Sequence, residues 1–433
     1  MDNKSFTFWN RLFGLLVFSI ALSTYVMTVE PTASFWDAGE YISTSAKLQV
    51  GHPPGAPLFQ MLGAVFASFA QNPEKIALMV NMMSVFSSAF TILFLFWTIT
   101  LSVIKIYPFE NHKNSADKFV FFSSASVGAL SLCFSDSFWF NAVEAEVYAM
   151  AMLILSILFY LALKWEKDMN TPRGDKWLLL ISFVIGLSFG VHFMGLLTIP
   201  AIGMLYYFKN YKKVTFKGFI LANLVSVAIL LFIFKLLLPL TLAFFGNTEV
   251  YVVNTFGLPF NSGTILAGII ITSFFVISLR ISYRKKMVNL NTGLLSILFV
   301  LLGFSSWIMI PIRANANTVI NENSPSDARL LLAYYNLEQY PETKLFYGPY
   351  FSDMYVGQDE NNPYKDDKPK YERDEKTGKY VIVNYWQNAR INSNADQSGF
   401  LPRLWSTEHA ANYMDFTKPL EFKISREYSS NKD

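Results

Sequence analysis

The chain has 433 residues, of which 52% are hydrophobic, 17% aromatic and only 15% charged, with a mean hydropathy of +0.31. That balance excludes an ordinary soluble protein, and apolar blocks of about 20 residues indicate a multi-spanning membrane protein. A net charge of +3 gives no reason to expect a nucleic-acid partner; in such a chain the information lies in how Lys and Arg distribute over the loops.

Lys4 and Arg11 precede the first apolar block, Leu12–Val29, in the manner of a signal anchor. No small-residue cleavage pattern follows, so this block is expected to remain as the first span. Further blocks run Ile76–Ile104, Phe119–Phe134, Val147–Leu163, Trp177–Phe208, Phe219–Phe245, Ile265–Leu279 and Leu294–Ile312. Trp177–Phe208 is too long for one ordinary span, and Gly190, His192 and Gly195 interrupt it, so two short helices are expected there. Pro57–Ala70, at about 14 residues, is short for a span and suits an interfacial or re-entrant helix. If it does not cross, the basic loops around Lys4/Arg11, Lys105/Lys113/Lys118, Lys164–Lys176, Lys209–Lys217 and Arg280–Lys286 share one side, cytoplasmic by the positive-inside rule. The other side then receives Asp37, Glu40, Asp136, Glu144, Glu146 and Glu249. The expected fold is an α-helical polytopic membrane protein of about nine spans plus juxtamembrane helices.

Residues 1–313 form the transmembrane domain in this reading, with a first outer loop over 30–75, and 314–433 a small extracytoplasmic α+β region. Within it Tyr371–Tyr385 reads as a hairpin turning at Glu375-Lys376-Thr377-Gly378. Ser429–Asp433 reads as a solvated tail. The single cysteine, Cys133, excludes an intrachain disulfide and a Cys-based zinc site, and His52, His112, His192 and His409 lack metal-ligand spacing.

Two acidic, aromatic stretches carry the chemistry. In Phe35-Trp36-Asp37-Ala38-Gly39-Glu40-Tyr41, the two acids share a face if a helix opens there, so that one could take a proton while the other orients a partner. The alternative is that Asp37 only caps that helix. Asp136–Tyr148 adds Glu144 and Glu146 at the mouth of a span. The candidate catalytic residues are therefore Asp37, Glu40 and Glu146. Candidate substrate-binding residues are His52, Glu144, His192, Lys235 and Arg313. Lys235 lies deep in an apolar block, near the outer leaflet by helical rise from Phe219, and Arg313 ends the last span; either cation could meet a lipid phosphate or simply anchor at the interface.

With these residues in view, Phe35–Tyr41, His52-Pro53-Pro54, Ala145-Glu146-Val147-Tyr148-Ala149, and Ile312–Asn317 with Asn321-Glu322-Asn323 resemble the bacterial membrane-protein family related to protein O-mannosyltransferases, within the glycosyltransferase C superfamily. The resemblance implies a polyprenyl-phosphate sugar donor, an acidic base in the first outer loop, a juxtamembrane helix begun by His-Pro-Pro, and a split helix pair beside the lipid phosphate. Asp37 would then deprotonate a Ser or Thr hydroxyl of an exported protein, and the sugar would transfer with inversion. Protein mannosyltransferases commonly carry adjacent Asp-Glu, whereas Ala38 and Gly39 separate Asp37 from Glu40 here. Many members of the bacterial branch run longer, so the region after residue 314 is expected to be part of a larger external domain.

The implied partners are the lipid-linked sugar, an acceptor protein or glycolipid, and membrane lipid. No cofactor is called for, with a divalent cation left open. The implied location is a bacterial inner membrane with the site facing the periplasm. Competing readings are a transferase acting on a glycolipid or cell-wall polymer, a transporter or flippase, and a structural assembly factor. The flippase reading calls for internally repeated spans with ionisable residues at the midplane, a pattern not seen in this chain.

Overall fold

The computed structural model describes residues 3–108, 115–340, 344–351, 357–402, 404, 406 and 409–417. His112, Lys113 and the tail Ser429–Asp433 lie outside them. The chain divides into two compact units, one of Met1–Glu249 with Gly263–Leu337, the other of Val250–Ser262 with Glu338–Asp433. The segment from 314 to 337 belongs to the first unit because Leu331, Tyr334 and Tyr335 are buried in its core.

The helices in chain order are α1 (Asn3–Thr28), α2 (Ala38–Lys47), α3 (Pro57–Ala67), α4 (Ile76–Ile106), α5 (Ser115–Cys133), α6 (Asp136–Ala142), α7 (Val147–Asp168), α8 (Asp175–Ser188), α9 (Thr198–Asn210), α10 (Phe216–Leu231), α11 (Leu238–Phe256), α12 (Ser262–Arg284), α13 (Val288–Phe304), α14 (Met309–Ala314) and α15 (Ala328–Tyr335). Among the described residues, six helical segments are long and apolar enough to cross a membrane, and α5 with α6, bent by 70° to each other, would make a seventh. The chain is thus a multi-pass helical membrane protein. The expected nine spans require α8 and α9 to be counted as well. At 14 and 13 residues they are roughly 20 Å long each, short of a hydrocarbon core of about 30 Å.

The split between α8 and α9 is present, with a 3-10 turn at Phe193–Leu197 and His192 just before it. Such a break frees backbone groups that hydrocarbon cannot satisfy. Here Trp307 Nε1 donates to the Phe189 carbonyl (2.8 Å), and the Leu58 and Phe59 amides donate to that of Gly190 (2.7 and 3.2 Å). Those amides belong to the first turn of α3, which is 11 residues long, roughly 16 Å, and apolar. The short helix after His52-Pro53-Pro54 therefore docks its N-terminus on the break. α8 crosses α13 at two facing glycines: a Cβ on Gly186 would overlap the Val300 carbonyl, and one on Gly303 the Phe183 carbonyl. This is the small-residue contact that lets membrane helices approach closely.

Phe216–Phe256 is one continuous helix of 41 residues whose middle, Phe232–Leu237, winds as a π-helix. Lys235 sits in that π turn. At the C-terminal ends of α4, α7 and α9, Glu166 pairs with Lys105 (2.6 Å) and Lys209 (3.6 Å), so three basic loops expected to share a side do meet. Glu146 stands at the other end of α7, 20 residues or roughly 30 Å from Glu166.

The second unit contains short antiparallel pairs. β1 (Tyr347–Pro349) pairs with β6 (Ser398–Phe400), β2 (Tyr364–Lys365) with β5 (Arg390–Ile391), and β3 (Tyr371–Asp374) with β4 (Lys379–Ile382). The last is the expected hairpin, with Tyr371 opposite Ile382 and Gly378 at φ +65° in its turn. Asn254 holds Tyr380 through both its backbone N–H (2.8 Å) and its carbonyl (2.9 Å). A short helix, α16 (Ala410–Thr417), follows.

Candidate active site

Asp37 occupies the N-cap position of α2, yet its side chain makes no capping hydrogen bond. The capping alternative is therefore not realised. The carboxylate, 58% exposed, lies 3.9 Å from Nε2 of His52. Trp36 immediately before it has φ +60°, a conformation that a bulky residue adopts only when its surroundings impose it. Both Trp36 and Phe35 are exposed beside the acid.

Three residues on, Glu40 also declines a capping role. Its Oε1 accepts the His52 backbone N–H (2.6 Å) and its Oε2 takes the ring Nδ1 (3.0 Å). Burial by itself would push the Glu40 carboxyl up, but the hydrogen bonds from His52 hold it below the usual carboxylate range. The same carboxylate raises the His52 imidazole above its ordinary value, with Asp37 and Glu146 adding to the effect.

Glu146 approaches from the start of α7. It is buried, and the backbone N–H groups of Asp37 and Val147 face its carboxylate. Burial and the nearby charges of Asp37 and Glu144 push it up to about 7. Tyr41 fills the space among these acids, its hydroxyl raised by burial and by Glu146, Asp37 and Glu40.

Four sequence-identified residues, Asp37, Glu40, His52 and Glu146, thus form one cluster. Glu144 stands behind it, buried, its Oε2 accepting the Ser34 hydroxyl (2.6 Å) and so tying the first loop to the second. Burial raises its carboxyl as well. His192 joins through Tyr148, whose ring lies 5.5 Å from the imidazole. Its Nδ1 accepts the Met194 N–H (3.2 Å), so the neutral ring carries its proton on Nε2, as a donor.

Lys235 and Arg313 stand apart from the carboxylates. The Lys235 ammonium lies over the Phe234 ring (4.7 Å), and Phe234 packs on Phe193, next to His192. Arg313 donates to the carbonyls of Leu48 and, at 3.1 Å, Lys47, and thereby caps the C-terminal end of α2. Among the described residues no group of three or more His, Cys, Asp or Glu is arranged to hold a metal ion.

The segment after the last span packs against the loop that carries His52. Val50 pairs with Ile320–Glu322 through backbone bonds, and the buried Tyr334 hydroxyl donates to the carbonyls of Gly51 (2.6 Å) and His52 (3.1 Å). Sequence reasoning placed Ser34 and Gly51 at the head of the two motif stretches without giving either a role, and it did not single out Tyr334. Only the Gly51-His52-Pro53-Pro54-Gly55 run signals a tight loop there, and nothing local marks its distant partner.

Residues 37–215 match the family described as "Protein O-mannosyl-transferase TMEM260 N-terminal domain", and residues 341–430 a "Family of unknown function (DUF8416)". The chain is 26% identical over 164 residues to the "Protein O-mannosyl-transferase tmem260" of Dictyostelium discoideum, which covers 38% of this chain and 18% of that protein. It is 25% identical over 175 residues to the "Protein O-mannosyl-transferase TMEM260" of Mus musculus, covering 40% and 22%. The matched part is thus about a fifth of the length of those relatives. No solved structure matches.

Proposed function

From this relation to protein O-mannosyltransferases, we propose that the chain is a membrane glycosyltransferase that moves a sugar from a polyprenyl-phosphate donor to Ser or Thr hydroxyls of exported proteins. The observation that carries the reading is the meeting of Asp37, Glu40, His52 and Glu146 beside an exposed Asp37 carboxylate, at the end of α7 opposite the Lys105–Glu166–Lys209 cluster. That polarity agrees with a site at the extracytoplasmic face of a bacterial inner membrane.

In the proposed reaction Asp37 takes the proton of the acceptor hydroxyl as its oxygen bonds to the anomeric carbon. The bond to the phosphate oxygen breaks and the electron pair leaves with the phosphate. One displacement inverts the anomeric centre. The charge developing on the phosphate calls for fixed donors, and His192 Nε2 and Lys235 are the donors that this reading assigns to it.

The test is transfer of mannose from polyprenyl-phosphate mannose to a Ser/Thr-rich peptide by the chain in membranes. Asp37→Asn should insert and accumulate normally while losing at least on the order of 100-fold in rate. Full activity in that variant ends the base assignment. Transfer to a glycolipid in place of the peptide moves the acceptor to the other transferase reading.

A further inference from the structure

We propose that Glu40 and His52 form a positioning pair for Asp37, and that Gly51 is glycine so that the pair can close. This rests on Asp37 being the base, as proposed above. Glu40 grips the same residue twice, at its backbone N–H (2.6 Å) and at ring Nδ1 (3.0 Å). Both the place and the rotation of the imidazole are thereby set, and Nε2 is left facing Asp37 Oδ2 at 3.9 Å. The arrangement is that of a histidine oriented on one nitrogen by a carboxylate and working with the other. The backbone of the loop is held independently, by the Tyr334 hydroxyl on the carbonyls of Gly51 and His52.

The groups facing His52 are Glu40 and Asp37 from the start of α2, Glu146 from the start of α7, and the Tyr41 ring at 5.9 Å. The Glu40 hydrogen bond and the charges of Glu40 and Asp37 favour the imidazolium, and Glu146 adds to them to the extent that it is ionised. The pair transfers no proton in the reaction. The hydroxyl proton moves to Asp37, the electron pair of the broken bond leaves on the phosphate, and His52 enters and leaves in the same protonation state.

Gly51 supplies the independent observation. A Cβ there would sit 2.6 Å from Glu40 Oε1 and 3.2 Å from Gln60 Nε2. Since the obstructed atom is the end of a flexible side chain, Gly51→Ala would displace the Glu40 carboxylate from His52 and leave the backbone in place. It would do so without removing any ionisable group.

The experiment uses the full chain in lipid nanodiscs with polyprenyl-phosphate mannose and a Ser/Thr peptide, and reads kcat, donor KM and the pH profile of kcat. Glu40→Gln and Gly51→Ala should each lower kcat on the order of 100-fold, as expected for a misplaced reacting group, with donor KM unchanged. In both, the alkaline limb should move to lower pH, because His52 loses the partner that holds its proton. An activity-independent check is the ¹⁵N titration of His52 in protein labelled at histidine, which should fall toward the ordinary histidine value in Glu40→Gln. The proposal is overturned by a Glu40→Gln variant with wild-type kcat and alkaline limb, or by an unmoved His52 titration. An inactive Asp37→Asn beside an unaffected Glu40→Gln removes the pair alone, whereas an active Asp37→Asn removes the base reading beneath it.

Discussion

Asp37 is available for chemistry because its side chain makes no capping hydrogen bond to α2. The strained Trp36 turns the chain just before the helix, and Glu146 receives the Asp37 backbone N–H. Glu146 does this while buried and pushed up to about 7, so its neutral form is the one the fold prefers. The sign follows: a carboxyl raised in the folded state contributes stability that is fully present below its unfolded value, near 4.3, and is lost as pH rises through about 7. Glu146→Gln keeps an oxygen for the backbone N–H groups and cannot ionise. Its thermal midpoint should consequently fall less than that of the wild type between pH 5 and pH 8; an equal fall in both would show that Glu146 stays ionised throughout. The sequence singled out Asp37 and Glu40 by their spacing, Glu146 by its place at the mouth of a span and His52 through the His-Pro-Pro element, but it could not say that Glu40 would turn away from the helix end toward His52.

At the scale of elements, the site exists because two short helices stop where one long one would have crossed. α8 ends at Ser188, and the carbonyls it abandons are claimed by Trp307 and by the first turn of α3. That exchange fixes α3, and with it the His52 loop that precedes it. α8 is itself held by its close crossing on α13. Gly303→Ala places a methyl group against the Phe183 carbonyl and the Leu187 amide, backbone atoms that cannot step aside. The helices must separate, at a cost of about 1–3 kcal/mol. The expected result is a lower melting temperature in detergent together with reduced transfer, since α8 carries the break toward the site. An unchanged melting temperature would show the crossing to be loose. The break was legible from Gly190, His192 and Gly195, and the shortness of α3 from its length. The π turn at Lys235 has a local cause in Pro239, four residues on in the same helix, which has no N–H to give the Lys235 carbonyl.

For the molecule as a whole, the two ends of α7 carry opposite chemistry: three acids and His52 at one, Lys105 and Lys209 on Glu166 at the other. The only native cysteine is buried, so cysteines introduced singly report cleanly. An impermeant maleimide added to intact cells should label Ser137→Cys and Glu322→Cys, and should label Lys212→Cys only after permeabilisation. The reverse pattern would turn the protein over in the membrane and leave the site facing the cytoplasm. By itself the sequence determined the membrane class, the carboxylates flanking the spans, and the Tyr371–Ile382 hairpin, because apolar run length, charge placement and turn residues are local properties. The tertiary structure decided that Asp37 leaves its cap unmade, that Glu40 holds His52 twelve positions on, and that Tyr334, 283 positions from Gly51, locks the loop between them. Each is a contact across folded space, and helical or strand periodicity says which face a side chain takes without saying which loop will meet it.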